Sequence, residues 1–414
     1  MSDADESRVP RHPDVDRRSL VVWPGYRSGL SIDQLNRTVV GAIAKPLSHA
    51  VQDPALIAGA LQEGMGVVLP AQAWRNQLPL DHPKRAGTFS ALALHRPGLE
   101  LAPDDAPFAP AFAEAYAADH VAAELQAGAT IATTPGHVLA RERAVGREND
   151  LQLARLAAGE FVARGASAPA PGQPVSARRA IYATIVLQGA HAKKAETIDW
   201  LVTRYAALED VSGYWIVAAN CNGSGVQLAG YARLALRLQA ATGRPAVVSC
   251  VGDAHLALLA SGVAATCAGL HGMSFTYPPA LLPVREDGEQ EPLGIFVYHR
   301  SVLGFVGQLG AKGEPARAAI FRNLPCPCGH HSADRPPEGK REIVAHNSWA
   351  VSADASEFAG PPVLAAEDQM ARRTEDARRQ RRFLQLSALK PGFVAVPRAA
   401  AALRADEARR AAGE

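Results

Sequence analysis

The residues best equipped for chemistry lie in Cys326-Pro327-Cys328-Gly329-His330-His331, answered further along by His346. Thiolates and neutral imidazoles are the usual protein donors to Zn²⁺, and four of them suit a tetrahedral site. The C-x-C-x₂-H…H pattern nominates Cys326, Cys328, His331 and His346 as ligands of one zinc ion. Four protein donors leave no open coordination position, so the ion would be structural rather than catalytic. The plainer alternative makes His330 and His331 turn residues in a Pro/Gly-rich loop, with the cysteines merely buried. Short Cys/His clusters in loops rarely arise from packing alone, which favours the metal.

A second group of polar residues stands where apolar runs end. Gln188 and His191 follow one run, Asn220 and Asn222 the next, Asp253 and His255 a third, and Cys267 and His271 flank a fourth. Gln188 leaves its run directly before Gly189, so its amide can meet a ligand without a neighbouring side chain in the way. Such an amide both donates and accepts, which suits the edge of a nucleobase; a turn-capping amide is the alternative. Asp253 is the one carboxylate of this group and could act as base or nucleophile. Gly252-Asp253 before an apolar run is equally a helix N-cap signal. His255 and His271 read as satisfied loop histidines rather than catalytic ones. Cys267 reads as a core thiol rather than a nucleophile, being enclosed in Val263-Ala264-Ala265-Thr266.

The elements that would position these groups alternate. Ala180–Leu187 is a continuous β-prone run, as expected of a strand buried on both faces. Helical stretches and further strands follow at Ala195–Ala207, Tyr214–Ala219, Leu228–Thr242, Pro245–Val251, Ala254–Ala260 and Val263–Ala268. Upstream, Pro54–Ala58, Phe112–Gln126 and Arg141–Arg164 read as helices, and Gly66–Pro70, Thr88–Leu94 and Ala129–Thr133 as strands. Repeated strand–helix alternation argues for parallel strands joined by helices. Over this length the economical closure is an α/β fold of the (β/α)₈ type, whose active sites lie at the C-terminal strand ends; a doubly wound sheet is the alternative. Residues 275–325 are mixed and Pro-rich, and 336–362 read as loop-rich. Ala365–Leu389 reads as a charged helix bearing Arg372, Arg373, Arg378, Arg379, Arg381 and Arg382, either a solvated ion-paired face or a phosphate contact. The domains expected are a disordered segment 1–19, a barrel 20–325, a zinc-binding subdomain 326–362 and a helical segment 363–414.

Composition sets outer limits. At 414 residues, 48% hydrophobic and 20% charged, the chain is ordinary for a soluble globular protein. A net charge of +2 implies no global polyanion field, so any nucleic-acid surface must be local. No apolar run approaches the roughly 20 residues of a membrane span. The charged N-terminus lacks a signal peptide's apolar segment, and a reducing, cytoplasmic setting is the expectation.

The arrangement resembles the queuine/archaeosine tRNA-ribosyltransferases, the tRNA-guanine transglycosylases. Ile185-Val186-Leu187-Gln188-Gly189 is similar to that family's I-V-Q-G-G strand end, and Asp210-Val211-Ser212-Gly213-Tyr214-Trp215-Ile216 to its D-x-x-G-Y-A-I strand. Cys326, Cys328 and His331 stand at the first three places of its zinc pattern, with histidine for the third cysteine. His346 stands as the fourth after a shorter interval. The similarity covers about 180 to 350. It implies a (β/α)₈ barrel with a zinc subdomain, Gln188 reading a base, tRNA or DNA as partner, and pairing into homo- or heterodimers. The family's aspartates are not found. Cys267 holds the nucleophile's place, there is no D-S-G-G segment, and Thr134-Pro135-Gly136-His137 replaces the base-binding aspartate. Two functions are therefore expected: a barrel exchanging a nucleobase for a 7-deazaguanine-type base, with Asp253 its carboxylate and Gln188, Gly189, Asn220 and His255 about the substrate, or an inactive nucleic-acid-binding or assembly subunit. An unrelated barrel enzyme with a metal in its cleft, drawing on His191, Asp253 and His255, is a third.

Overall fold

The computed structural model describes residues 18–24, 30, 32–50, 53–71, 106–139, 144–166, 179–221, 223–270, 296–308, 314–389 and 391–412. The N-terminal segment 1–17, the strand expected at Thr88–Leu94, and Asn222 and His271 lie outside the described residues.

Eight strands form one closed barrel: β1 Ser19–Trp23, β2 Val40–Ala44, β3 Gly66–Val68, β4 Ile131–Thr133, β5 Ala180–Gln188, β6 Gly213–Ala219, β7 Ala246–Ser249 and β8 Ala265–Gly269. They pair in chain order, all parallel, and β8 closes on β1 with Cys267 opposite Val21. The alternation of side chains explains the unbroken apolar runs. Along β5, Ala180, Tyr182 and Val186 join the cluster that also holds Trp23, Trp215 and Cys267. Ile181, Ala183, Ile185 and Leu187 join the larger cluster that includes the surrounding helices. Both faces of the strand are therefore withdrawn from water, and a parallel sheet covered on both sides needs that pattern.

The helices between strands are α1 Leu47–Ala50, α2 Pro54–Gln62, α3 Pro110–Gln126, α4 Ala144–Ala163, α5 Gly189–Ala192, α6 Ala195–Ala206, α7 Gly225–Thr242 and α8 His255–Ala260. The start of α7 is fixed by Ser224, whose side chain accepts from the Gln227 N–H, and its end by Gly243 at φ 66°. Gly230 in α7 lets the short α5 approach: a Cβ there would lie 1.8 Å from the Ala192 carbonyl oxygen.

Beyond the barrel come an antiparallel hairpin, β9 Phe296–His299 and β10 Gly304–Gln308, and four helices, α9 Glu314–Asn323, α10 Gly339–Ala359, α11 Val363–Phe383 and α12 Gly392–Ala412. This corrects the reading of 336–362 as loop-rich, since α10 fills most of that span. Its helical period is hidden because the buried face carries His346, Asn347, Ser348, Ser352 and Asp354 among the apolar residues. Each is hydrogen-bonded, the condition for burying polar groups. Asn347 seats the hairpin on the barrel: its Nδ2 donates to Leu270 O at 2.7 Å and Phe296 O at 2.9 Å, and its Oδ1 accepts from Tyr298 N at 2.8 Å. Among the described residues no helix is long and apolar enough to cross a membrane.

Candidate metal centre and barrel mouth

The loop after α9 brings Cys326, Cys328 and His331 against His346 of α10, and the four ligand atoms all lie within 4.8 Å of one another. Cys326 and His346 are buried, while Cys328 and His331 are half-buried. His346 Nδ1 lies 3.6 Å from Cys326 Sγ, 3.5 Å from Cys328 Sγ and 3.0 Å from His331 Nε2. A zinc ion with bonds of about 2.3 Å to sulfur and about 2.05 Å to nitrogen spaces tetrahedral sulfur and nitrogen by roughly 3.6 Å, and two nitrogens by roughly 3.3 Å. The two sulfur–nitrogen edges at His346 match that spacing, and the nitrogen–nitrogen edge is slightly shorter.

The proton positions point the same way. His346 Nε2 is 2.6 Å from the Tyr298 carbonyl oxygen, and His331 Nδ1 is 2.8 Å from that of Ser332. A carbonyl only accepts, so those nitrogens carry the N–H. In the neutral form that a metal ligand must take, the other nitrogen of each ring presents a lone pair, and these two nitrogens lie 3.0 Å apart. A cation between them turns a repulsion into two bonds. Backbone carbonyls that fix the tautomer of metal-binding histidines are the usual outer support of such sites.

Within the thiol pair, hydrogen bonding from Cys326 pulls Cys328 well below the ordinary thiol range, and contacts from His331 and His346 pull in the same direction. Cys326, the partner in that contact and itself buried, is held up. Burial opposes charge on His331, but its contact with Cys328 outweighs this and raises it. Phe321 of α9 packs edge-on to His299, His331 and His346, at ring separations of 4.9, 5.2 and 5.6 Å. His299 itself is neutral, pushed by burial to about 4, with Nε2 2.9 Å from the Leu324 carbonyl oxygen. Tyr298, His299 and Phe321 support the centre and were not legible in the sequence, because their role comes from the hairpin and α9 meeting the loop. His330, the competing histidine, is exposed and gives its backbone N–H to Cys328 Sγ at 3.4 Å.

At the C-terminal ends of the strands, Gln188 is half-buried, with Nε2 donating to Leu139 O at 2.6 Å and Oε1 accepting from Asn220 Nδ2 at 3.4 Å. It stands at the N-cap of α5, but its side chain makes no cap bond. Gln188 and Asn220 thus form one amide pair across β5 and β6, and Asn220 holds a left-handed backbone, φ 50°. The room along the Cβ direction of Gly189 is taken by the Gln227 amide, 2.7 Å away. His255 is buried with Nδ1 3.0 Å from Gly252 O. Cys267 faces the barrel interior, and burial pushes its thiol well up, as it does Cys250, to about 12.

Asp253 does not cap α8, whose N-cap is Ala254, with no side-chain bond. It sits in a 3₁₀ turn, Gly252–Ala254, across Gly304 from Arg381. A Cβ on Gly304 would lie 2.7 Å from Arg381 Nη2 and 3.0 Å from Asp253 Oδ2, so a side chain there would crowd both groups. Arg381 is buried and donates from Nε to Val302 O at 2.9 Å and from Nη1 to Ser387 O at 3.0 Å. Burial lowers its pKa while Asp253 counteracts that.

The segment Thr134-Pro135-Gly136-His137 does acquire a carboxylate. Asp150 arrives from the middle of α4, its Oδ1 2.6 Å from His137 Nδ1, and Tyr116 OH lies 3.3 Å from His137 Nε2. All three are buried. Nothing in the sequence links positions this far apart.

No protein-family model matches the chain, and no curated protein matches it. Among solved structures it is similar to the carboxyl transferase domain of Rhizobium etli pyruvate carboxylase. With pyruvate and biocytin bound, that structure shows 12% identity and a TM-score of 0.35, covering 97% of this chain and 63% of that one. With 3-bromopyruvate the values are 13%, 0.33, 89% and 53%. The chain therefore spans less than two thirds of the structures it matches.

Proposed function

We propose that the chain is a transglycosylase-like barrel, braced after its last strand by a structural zinc, that binds a nucleobase of tRNA or DNA at the barrel mouth. The observation that carries this reading is the paired Gln188 and Asn220 amides at adjacent strand ends, together with a compact Cys₂His₂ cluster in the segment that follows the barrel. Zinc, when bound, supplies a cross-link between the 324–338 loop and α10 and no chemistry at the mouth, since its four donors are all protein side chains. An amide that donates at one atom and accepts at another can match one edge of a base.

Base exchange needs a carboxylate that attacks the anomeric carbon as the old base leaves, holds the sugar covalently, and is displaced in turn by the new base. Among the residues nominated here only Asp253 offers one, and it interacts electrostatically with the buried Arg381 across Gly304. That nearby cation favours a second reading, a binding or assembly subunit without turnover. The test is incorporation of labelled guanine or a 7-deazaguanine into tRNA and into DNA, with base and nucleic-acid binding measured in parallel on wild type, Gln188→Ala and Asp253→Asn. Turnover lost in Asp253→Asn supports exchange. Binding without turnover supports the subunit. Absence of both in a folded, zinc-loaded protein overturns the proposal.

A further inference from the structure

A cleft of about 630 Å³ opens between the hairpin, the metal loop, α10 and α11, well away in sequence from Gln188, and Cys326 and His346 form part of its wall. We propose that it is a binding site for a free nucleotide, a phosphate joined to a planar ring. Its volume falls within the range of small-molecule sites, roughly 300–1,000 Å³.

Among the described residues the wall presents Arg300, Arg373 and Arg379 with Trp349, against one carboxylate, that of Asp376. Two of these arginines are held from behind. Asp354, fully buried and outside the lining, accepts from Arg300 Nε at 2.6 Å, Arg373 Nη2 at 3.1 Å and Tyr298 OH at 2.7 Å. Glu357 accepts from Arg373 Nη1 at 2.5 Å and from Arg300 Nη2. A guanidinium has five N–H donors in a rigid fork, so carboxylates that take some of them orient the rest. The carboxylates also balance the charge, which makes recognition directional: planar forks meet phosphate oxygens two at a time. The Arg300 guanidinium lies 5.3 Å from the Trp349 ring centroid, a cation stacked on an aromatic plane that a base can extend. His299 stands behind this wall, its Nε2 committed to the Leu324 carbonyl oxygen and its Nδ1 buried without a hydrogen-bond partner among the described residues.

A polymer fits less well. The exposed side of α11 alternates in sign, with Arg378 and Arg382 near Glu375 at 3.7 Å each and Arg379 paired to Asp376, so it offers no continuous track for a phosphate backbone.

The test is calorimetric titration of the zinc-loaded full-length protein with ADP and GDP, with adenosine and inorganic phosphate as half-ligands, and with a single-stranded oligonucleotide. The nucleotides should bind saturably and each half-ligand at least about tenfold more weakly. Arg379→Ala, at an exposed position, should weaken binding about tenfold with no change in melting temperature. Arg300→Lys keeps the charge but loses the fork, and should weaken binding similarly while zinc content stays at wild-type level. Failure of both nucleotides to bind at millimolar concentration overturns the proposal. So does binding unaffected by both variants, or tighter binding of the oligonucleotide that depends on the same arginines.

Discussion

Removing the two cysteines tests the metal centre most directly. In Cys326→Ala/Cys328→Ala both sulfur donors go, while the His331 and His346 nitrogens remain facing each other at 3.0 Å, each with its other nitrogen committed to a carbonyl. Without a cation one ring must take up a proton or turn away, and the loop loses its tie to α10. If free zinc stands about 1,000-fold above its dissociation constant, occupancy contributes about 4 kcal/mol to the folded state. Purified wild type should carry one zinc per chain by elemental analysis. The double variant should carry none, melt several degrees lower, and be cut by protease within 324–338 where wild type resists. Protons compete with zinc for thiolates and imidazoles, so a chelator should strip wild type faster at pH 5.5 than at pH 7.5. Cys267→Ser, on the barrel strand β8, should keep its zinc. Stoichiometric zinc in the double variant, or a chelator-stripped wild type that melts unchanged, would refute the assignment.

Gln188→Ala should weaken nucleobase binding by about tenfold while its lost bonds to Leu139 O and Asn220 cost only about 1 kcal/mol of stability; a variant that chiefly unfolds marks the residue as structural. Asp354→Ala leaves Arg300, Arg373 and Tyr298 facing a buried gap and should cost about 3–5 kcal/mol by denaturant unfolding, and a loss under 1 kcal/mol would show that the network is not coupled. The lowered pKa of His299, to about 4 from 6.5, makes its neutral form part of the fold. The unfolded ring protonates first as pH falls, so this contribution is complete above pH 6.5 and lost towards pH 4, up to about 3 kcal/mol. His299→Gln should flatten the slope of stability against pH in that window, and an unchanged slope would count against it. Cys267→Ser should leave any base-exchange activity intact, since burial keeps that thiol neutral, and a trapped adduct at Cys267 would reverse this.

By itself the sequence determined the barrel and nominated the metal ligands. Strand–helix alternation from Ala180 to Ala268 and β-prone runs such as AIYATIVLQ are local properties, set by side-chain period and burial on both faces. The Cys/His spacing is local too, apart from His346. Only the tertiary structure decided which nitrogen of each histidine faces the cluster, because that follows from carbonyls of Tyr298 and Ser332. It also decided that α10 is a helix, whose buried polar residues break the apolar period but find partners at Leu270 just past β8, on β9 and on α11. The same holds for Asp253 beside Arg381 and Asp150 beside His137. A carboxylate's type can be read from sequence. Whether it stays available for chemistry depends on which cation or donor the fold sets against it, and long-range contacts leave no periodic trace in the chain.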